Sequence, residues 1–326
     1  MNTLTRYLNA GLAAAGLATF AVAAPHHWEL EGGYVTGDAD VDNVDVNEDN
    51  ISFSAAYYFK AFDPSGRSIH EAPYLDRSSF IKFGADIEEF DDDLDNLVES
   101  DIYNFSGALI DPETGWYGKL GYIDADADMS AGESPGIAVV GYRPAYDGFA
   151  LAAGKYVAQN TTLELEYASV DVDGDFFIQS GSGSDTDLVG LGFKHYGQFT
   201  DAVGFSIEGS YYFVDLDVAD FEDLDDDPFD SSGEVYDFTF TLYPVRELAV
   251  GVSYSDADDL MGTPYYSASS LVKDGLGVFG EWYFTESFAL SVLYNDQRYD
   301  IANPDDFNDP GKVEGDSLMF AAKFRF

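Results

Sequence analysis

Carboxylates dominate the side chains able to do chemistry: 61 Asp and Glu stand against 15 Lys and Arg, a formal charge of −46. Cys is absent and His occurs four times, so thiol nucleophiles, thiolate metal sites and disulfides are excluded at once. Two acidic runs, "DADAD" (124–128) and "DVDGD" (171–175), alternate ligand and spacer as calcium loops do. An EF-hand loop requires twelve ordered positions with a late Glu between two helices, and neither run continues that way. No cofactor and no dedicated metal site is expected, only opportunistic contact with divalent cations. The same charge argues against nucleic acid as a partner.

What must position these acids is an alternation of apolar and polar residues. Disordered chains lack aromatics, whereas this one is 16% Phe, Trp and Tyr. Residues 1–23 follow a different plan, with a lone Arg6, an Ala-rich apolar stretch, and small residues at Ala21 and Ala23. That is the layout of a cleaved secretory signal peptide. Over residues 24–326 no apolar run approaches the roughly 20 residues of a transmembrane helix. Period 2 recurs instead, at 27–37, 49–61, 79–89, 99–110, 115–127, 148–157, 162–173, 186–196, 202–215, 233–243, 247–257, 273–284, 287–300 and 314–326. The stretch "GIAVVGYRPAYDG" (136–148) is assigned mostly to a loop. The expected fold is all-β, a transmembrane antiparallel up-and-down β-barrel of about 14 strands within a range of roughly 12–16. An exported, Cys-free chain that meets lipid at alternate residues belongs in a bacterial outer membrane.

Alternation also assigns the two faces. Along "TLELEY" (162–167), Leu163, Leu165 and Tyr167 point one way, Glu164 and Glu166 the other. Arg or Lys on the lipid face at mid-membrane costs about 2–4 kcal/mol, acids somewhat less, so the charged face must turn inward. The same parity places Glu29, Glu31, Lys60, Lys82, Asp86, Glu88, Lys119, Lys194, Glu208, Asp237 and Glu281 along the pore. The lipid side then carries Phe53, Phe59, Ile81, Phe83, Leu290 and Val292. Charges buried without partners are costly, so such a lumen is expected to hold water.

The connections orient the barrel. Short ones such as "DPET" (111–114), "AQNT" (158–161), "PVR" (244–246) and "TES" (285–287) carry little charge. Long ones, covering 38–49, 86–101 and 215–230, are intensely acidic. Outer-membrane barrels keep short turns in the periplasm and long loops outside, so the negative charge belongs to the outer rim. His26, His27, His70 and His195 all fall at or near the opposite end. Barrel hydrolases need a proton-transfer residue at the rim, so no enzyme is expected. One hairpin type is reused: Tyr156, Leu163 and Tyr167, then Tyr243, Val250 and Tyr254, then Tyr283, Leu290 and Tyr294, share offsets of 7 and 11. Their aromatics are expected in an interfacial girdle.

One connection departs from the pattern. "DPSGRSIHEAPYLDRSS" (63–79) is long where a short periplasmic turn belongs. After a second strand ending in Tyr57-Tyr58-Phe59, "EAPYLDRSSF" (71–80) resembles the "EAAFL…R.S" segment of the general porin family of gamma-proteobacteria. The Tyr…Leu…Tyr hairpins and the C-terminal Phe326 are similar to that family too, over the whole of 24–326. The resemblance implies an outer-membrane porin and gives no residue a role.

The expected function is a water-filled channel for passive diffusion of ions and small hydrophilic solutes, its acidic mouth favouring cations. The alternative is a closed structural or adhesive barrel without transport. Expected partners are outer-membrane lipid and lipopolysaccharide, the barrel-assembly machinery, and further copies in a homotrimer. The chain closes on "MFAAKFRF", with Phe320, Phe324 and Phe326 on one face, resembling the C-terminal signal read during outer-membrane assembly. Deleting Phe326 is expected to lower the amount of heat-modifiable, membrane-inserted protein sharply. Wild-type insertion of that truncation, scored by gel shift of boiled against unboiled membranes, would refute the signal.

Overall fold

The computed structural model describes residues 26–41, 44–63, 68–92, 97–130, 145–173, 175–176, 179–180, 184–200, 203–218, 229–258, 274–301 and 311–326. The segment read as a signal peptide lies outside them. In chain order the strands are β1 (His26–Val41), β2 (Val44–Phe62), β3 (Phe80–Asp92), β4 (Leu97–Ile110), β5 (Trp116–Ser130), β6 (Ala145–Ala158), β7 (Thr161–Asp173), β8 (Asp175–Phe176) and β9 (Gln179–Ser180). They continue as β10 (Ser184–Gln198), β11 (Gly204–Val218), β12 (Phe229–Val245), β13 (Leu248–Asp258), β14 (Asp274–Thr285), β15 (Phe288–Ile301) and β16 (Gly311–Arg325). Apart from the small β8–β9 pair, each strand is antiparallel to its sequence neighbour, and β1 pairs with β16 to close a ring of 14.

Closure is carried to the last residue. β1 and β16 run in register from Glu29 opposite Arg325 to Val41 opposite Val313. The Phe326 carbonyl accepts the N–H groups of His27 and Trp28 at 3.0 and 2.8 Å, and its own N–H donates to the Trp28 carbonyl at 3.0 Å. No strand of the ring is left with an open edge, as hydrocarbon demands.

All 14 expected strands are present, but those flanking the acidic stretches are longer than the alternation suggests. β2 starts at Val44, β3 runs to Asp92, and β12 starts at Phe229. Of the acidic stretches, residues 38–41, 44–49, 86–92, 97–101, 215–218 and 229–230 are therefore wall, not loop, and the residues between them lie outside the described set. Asp and Asn are poor strand formers and read as turns, yet cross-strand pairing overrides that preference. Residues 145–148 open β6 rather than lying in a loop; residues 136–144 are outside the described set. One result is a row of aspartates in register across six neighbouring strands: Asp124, Asp147, Asp171, Asp185, Asp217 and Asp230.

On the outer surface, Phe53, Ile81, Phe83, Leu163, Leu165 and Val292 are exposed, while Ala56, Tyr58 and Ala108 on the alternate positions are buried. A girdle marks one edge of the apolar band. The hydroxyls of Tyr34, Tyr167, Tyr254 and Tyr294 donate to Asp49, Asp187, Asp256 and Asp316 at 2.6, 2.8, 2.8 and 3.3 Å. These include the last Tyr of each repeated hairpin. The first ones, Tyr156, Tyr243 and Tyr283, are not girdle residues: they are 7%, 3% and 1% exposed and face the lumen. Val157, Trp282 and Phe284 beside them take the outward positions. In each hairpin a register shift lies beside that first Tyr, so the repeat marks a lumenal post and a girdle post together.

Close approach inside the wall depends on glycine at Gly154, directly opposite Tyr117. A Cβ added there would land on the Tyr117 ring, whose hydroxyl donates to Glu164 at 3.0 Å. Gly154→Ala is expected to displace the ring and cost about 1–3 kcal/mol. Urea unfolding from lipid vesicles checks this as a lowered midpoint.

Candidate functional site

Residues 68–79 leave β2 and return to β3, but on the way they turn into the barrel. Four of them form α1 (Ala72–Leu75), a single turn with Pro73 where a helix start needs no N–H. A helix this short has no stability of its own, so the wall must hold it. Ala72 packs with Ala56, Tyr58 and Phe62; Leu75 with Tyr196, Tyr243 and Ala249; Ile69 with Tyr283 and Ala289. These partners lie on β2, β10, β12, β13, β14 and β15, so the segment reaches across the lumen.

Polar contacts fix the crossing. The Ile69 N–H donates to the Arg246 carbonyl at 3.1 Å, and the Ile69 carbonyl accepts from the Arg325 guanidinium at 2.8 Å. The same guanidinium donates to Glu29 at 2.6 Å and lies over the rings of Phe62 and Tyr283. His70 Nδ1 meets Glu281 at 2.7 Å, and Lys323 reaches Glu281 at 2.9 Å and Glu31 at 3.4 Å. Glu71 accepts from the Tyr243 hydroxyl and pairs with Lys194 at 3.0 Å; Lys194 also pairs with Glu208 at 2.8 Å. Tyr74 donates to the Lys194 carbonyl at 3.2 Å and accepts at its own carbonyl from Tyr156 at 2.9 Å. Burial pushes the Tyr74 phenol up to about 12, which keeps it a neutral donor.

Beside this segment lies a cavity of about 910 Å³, with Pro73 and Tyr74 among its boundaries. Lys119, Glu164, Glu166, Lys194, Glu208 and Asp237 line it. Lys119 pairs with Glu164 at 2.6 Å. Glu166 accepts from the Tyr212 hydroxyl at 2.7 Å, and Asp237 from Ser210 at 3.2 Å.

The sequence-predicted pore residues thus fall into separate groups. Glu29, Glu31 and Glu281 meet at the barrel seam with Lys323 and Arg325. Lys194 and Glu208 flank the inward segment, and Lys60 touches it through the Asp76 carbonyl at 3.4 Å. Lys119, Glu164, Glu166 and Asp237 face the cavity. Lys82, Asp86 and Glu88 stay apart on β3, where Asp86 accepts from Asn104 at 3.4 Å and Glu88 from Asn50 at 3.0 Å. Sequence reasoning missed His70, Glu71 and Tyr74 and the three lumenal tyrosines. The available signals were the excess length of 63–79 and the recurring first Tyr of the hairpins. Among the described residues no group of three or more His, Asp or Glu is arranged to hold a metal ion.

No protein-family model and no curated protein matches this sequence. Solved structures do match its fold. The Acinetobacter baumannii outer membrane protein Omp33 aligns with a TM-score of 0.54 at 18% identity, over 92% of this chain and 98% of that one. A Pseudomonas aeruginosa FadL homologue aligns with a TM-score of 0.52 at 10% identity, over 95% and 92%. The Pseudomonas putida toluene transporter TodX aligns with a TM-score of 0.51 at 12% identity, over 96% and 92%. The chain therefore has the fold of a bacterial outer-membrane β-barrel, and at these identities the likeness is one of fold. Membership of the general porin family, implied by "EAPYLDRSSF", gains no support from these matches.

Tyr243→Phe removes one of the two groups that engage Glu71 on the wall. It is expected to weaken seating of residues 68–79 by about 0.5–1.5 kcal/mol, the net worth of a typical hydrogen bond. Faster amide hydrogen exchange confined to that segment is the readout.

Proposed function

We propose that this chain is an outer-membrane channel for passive diffusion of ions and small hydrophilic solutes, with a preference for cations. The observation that carries it is the chemistry of the cavity wall. Lys119 and Lys194 are both engaged by carboxylates, whereas Glu166 and Asp237 are held by the neutral hydroxyls of Tyr212 and Ser210. The wall therefore presents carboxylate in excess of ammonium. Apolar groups such as Phe80, Ala108 and Leu188 share that lining with the ions, but an ion pressed against a hydrocarbon cargo would lose its hydration, which supports a hydrophilic cargo. The turn-bearing end, with both ends of the ring, faces the periplasm, and the aspartate-rich end faces outward. Lipid and lipopolysaccharide surround the apolar band, and Phe320, Phe324 and Phe326 serve assembly.

A second reading, a closed structural barrel, is favoured by the segment that crosses the lumen. Planar-bilayer recording separates the two: steps of conductance with a reversal potential on the cation side support the channel. Anion preference would remove the cation assignment, and absence of conductance would favour the closed barrel. Glu166→Gln with Asp237→Asn is expected to lower the cation-to-anion permeability ratio at low salt by about fivefold, the Boltzmann factor of a 1 kcal/mol charge interaction.

A further inference from the structure

We propose that residues 68–79 are a hinged flap whose withdrawal opens the periplasmic end of the channel, with Lys194 and Arg325 as its latches; this rests on the channel reading above. The first argument is position. The flap joins the barrel only at neighbouring strands, β2 and β3, while its contacts reach across the lumen to β10, β12 and β14, and to β16 on the other side of β1. A solute leaving the cavity toward the periplasm meets Pro73 and Tyr74. Withdrawal about the β2–β3 edge, with Ser79 left in place on Phe59 and Ile110, breaks no strand pairing.

The second argument is how charge is distributed between the two states. Three wall ions that touch the flap also have a partner on the wall. Lys194 keeps Glu208 at 2.8 Å, Arg325 keeps Glu29 at 2.6 Å, and Glu281 keeps Lys323 at 2.9 Å. A buried ion stripped of its sole partner is strongly destabilising. Here withdrawal strips none of these three. Glu71, the flap's own carboxylate, moves toward water, where its desolvation cost is recovered. A plug built only for strength would instead be the sole counter-charge of its socket.

The third argument is the local stability of the flap. Its buried apolar anchors are Ile69, Ala72 and Leu75, with the half-buried Tyr74 beside them, and its helix is one turn long. Segments with few buried apolar contacts open at low free-energy cost. At the corner where the chain turns back to β3, Arg77 has φ of 51°, the one non-glycine residue among those described with a left-handed backbone. That conformation is disfavoured for an L-residue with a long side chain and is held by local contacts: Arg77 donates to the Pro112 carbonyl at 3.1 Å and lies over Tyr156. Strain at this corner favours release.

The chain has no Cys, so an engineered disulfide is the one that forms. Two pairs bridge flap to far wall within single buried clusters, Ile69→Cys with Ala289→Cys and Leu75→Cys with Ala249→Cys. Each pair is purified folded, checked by gel shift, and recorded in planar bilayers oxidised and after reduction, with cross-linking verified by loss of thiol labelling. Conductance at least tenfold lower when oxidised and restored by reduction is expected in a cross-linked pair. Equal conductance in both states of a verified cross-link overturns the flap and leaves the channel standing. No conductance from the reduced pairs, the single-Cys variants or the unmodified protein overturns both. Lys194→Met is expected to raise the open fraction; an unchanged open fraction overturns its role as a latch.

Discussion

The pairing of the last strand with the first is the constraint from which the rest of the structure follows. In hydrocarbon every backbone N–H and C=O must find a partner inside the protein, and a sheet achieves that only by closing. Once β16 meets β1, each residue has one of two fates, lipid or lumen, and the alternation of the sequence is the record of that choice. Closure also creates the socket for residues 68–79. Arg325 is the penultimate residue, and its guanidinium serves Glu29 on β1 and the Ile69 carbonyl in the same stroke. The seam of the barrel and the crossing of its lumen therefore share one side chain.

Much of the fold was legible because a barrel enforces period 2 over long distances. All 14 strands could be found from residues such as Leu163, Glu164, Leu165 and Glu166, whose order has one reading in a membrane. The aspartate-rich ends were less legible. Local propensity favours a turn at 38–49, while the hydrogen bonds that make it wall come from strands hundreds of residues away in some cases, as between Asp38 and Asp316. The crossing of the lumen was illegible for a deeper reason. Glu71 sits against Tyr243, 172 positions along the chain, and nothing in the composition of 63–79 points across that gap. Only its length was out of place.

The repeated hairpin shows how one sequence device can serve two surfaces. Its first Tyr, at Tyr156, Tyr243 and Tyr283, stands in the lumen near the short turns and contacts residues 68–79. Its second, at Tyr167, Tyr254 and Tyr294, stands outside and ties its hydroxyl to an aspartate above the apolar band. Reuse of the hairpin around the ring sets the depth of the socket and the depth of the membrane interface by the same count of residues. The charged pairs of the wall add a second economy of design, since Lys194, Lys323 and Arg325 are each also bound to a carboxylate on a neighbouring strand.

The row of aspartates from Asp124 to Asp230 gives the outer wall a dependence on its surroundings. Like charges facing each other across strands repel, and here the register sets six aspartates in succession. In dilute solution that repulsion acts over tens of ångströms, while at seawater strength it is screened within a few. In the orientation proposed above, the rim beyond the tyrosine belt is the part of the wall that responds to external salt, while the membrane-embedded cylinder does not.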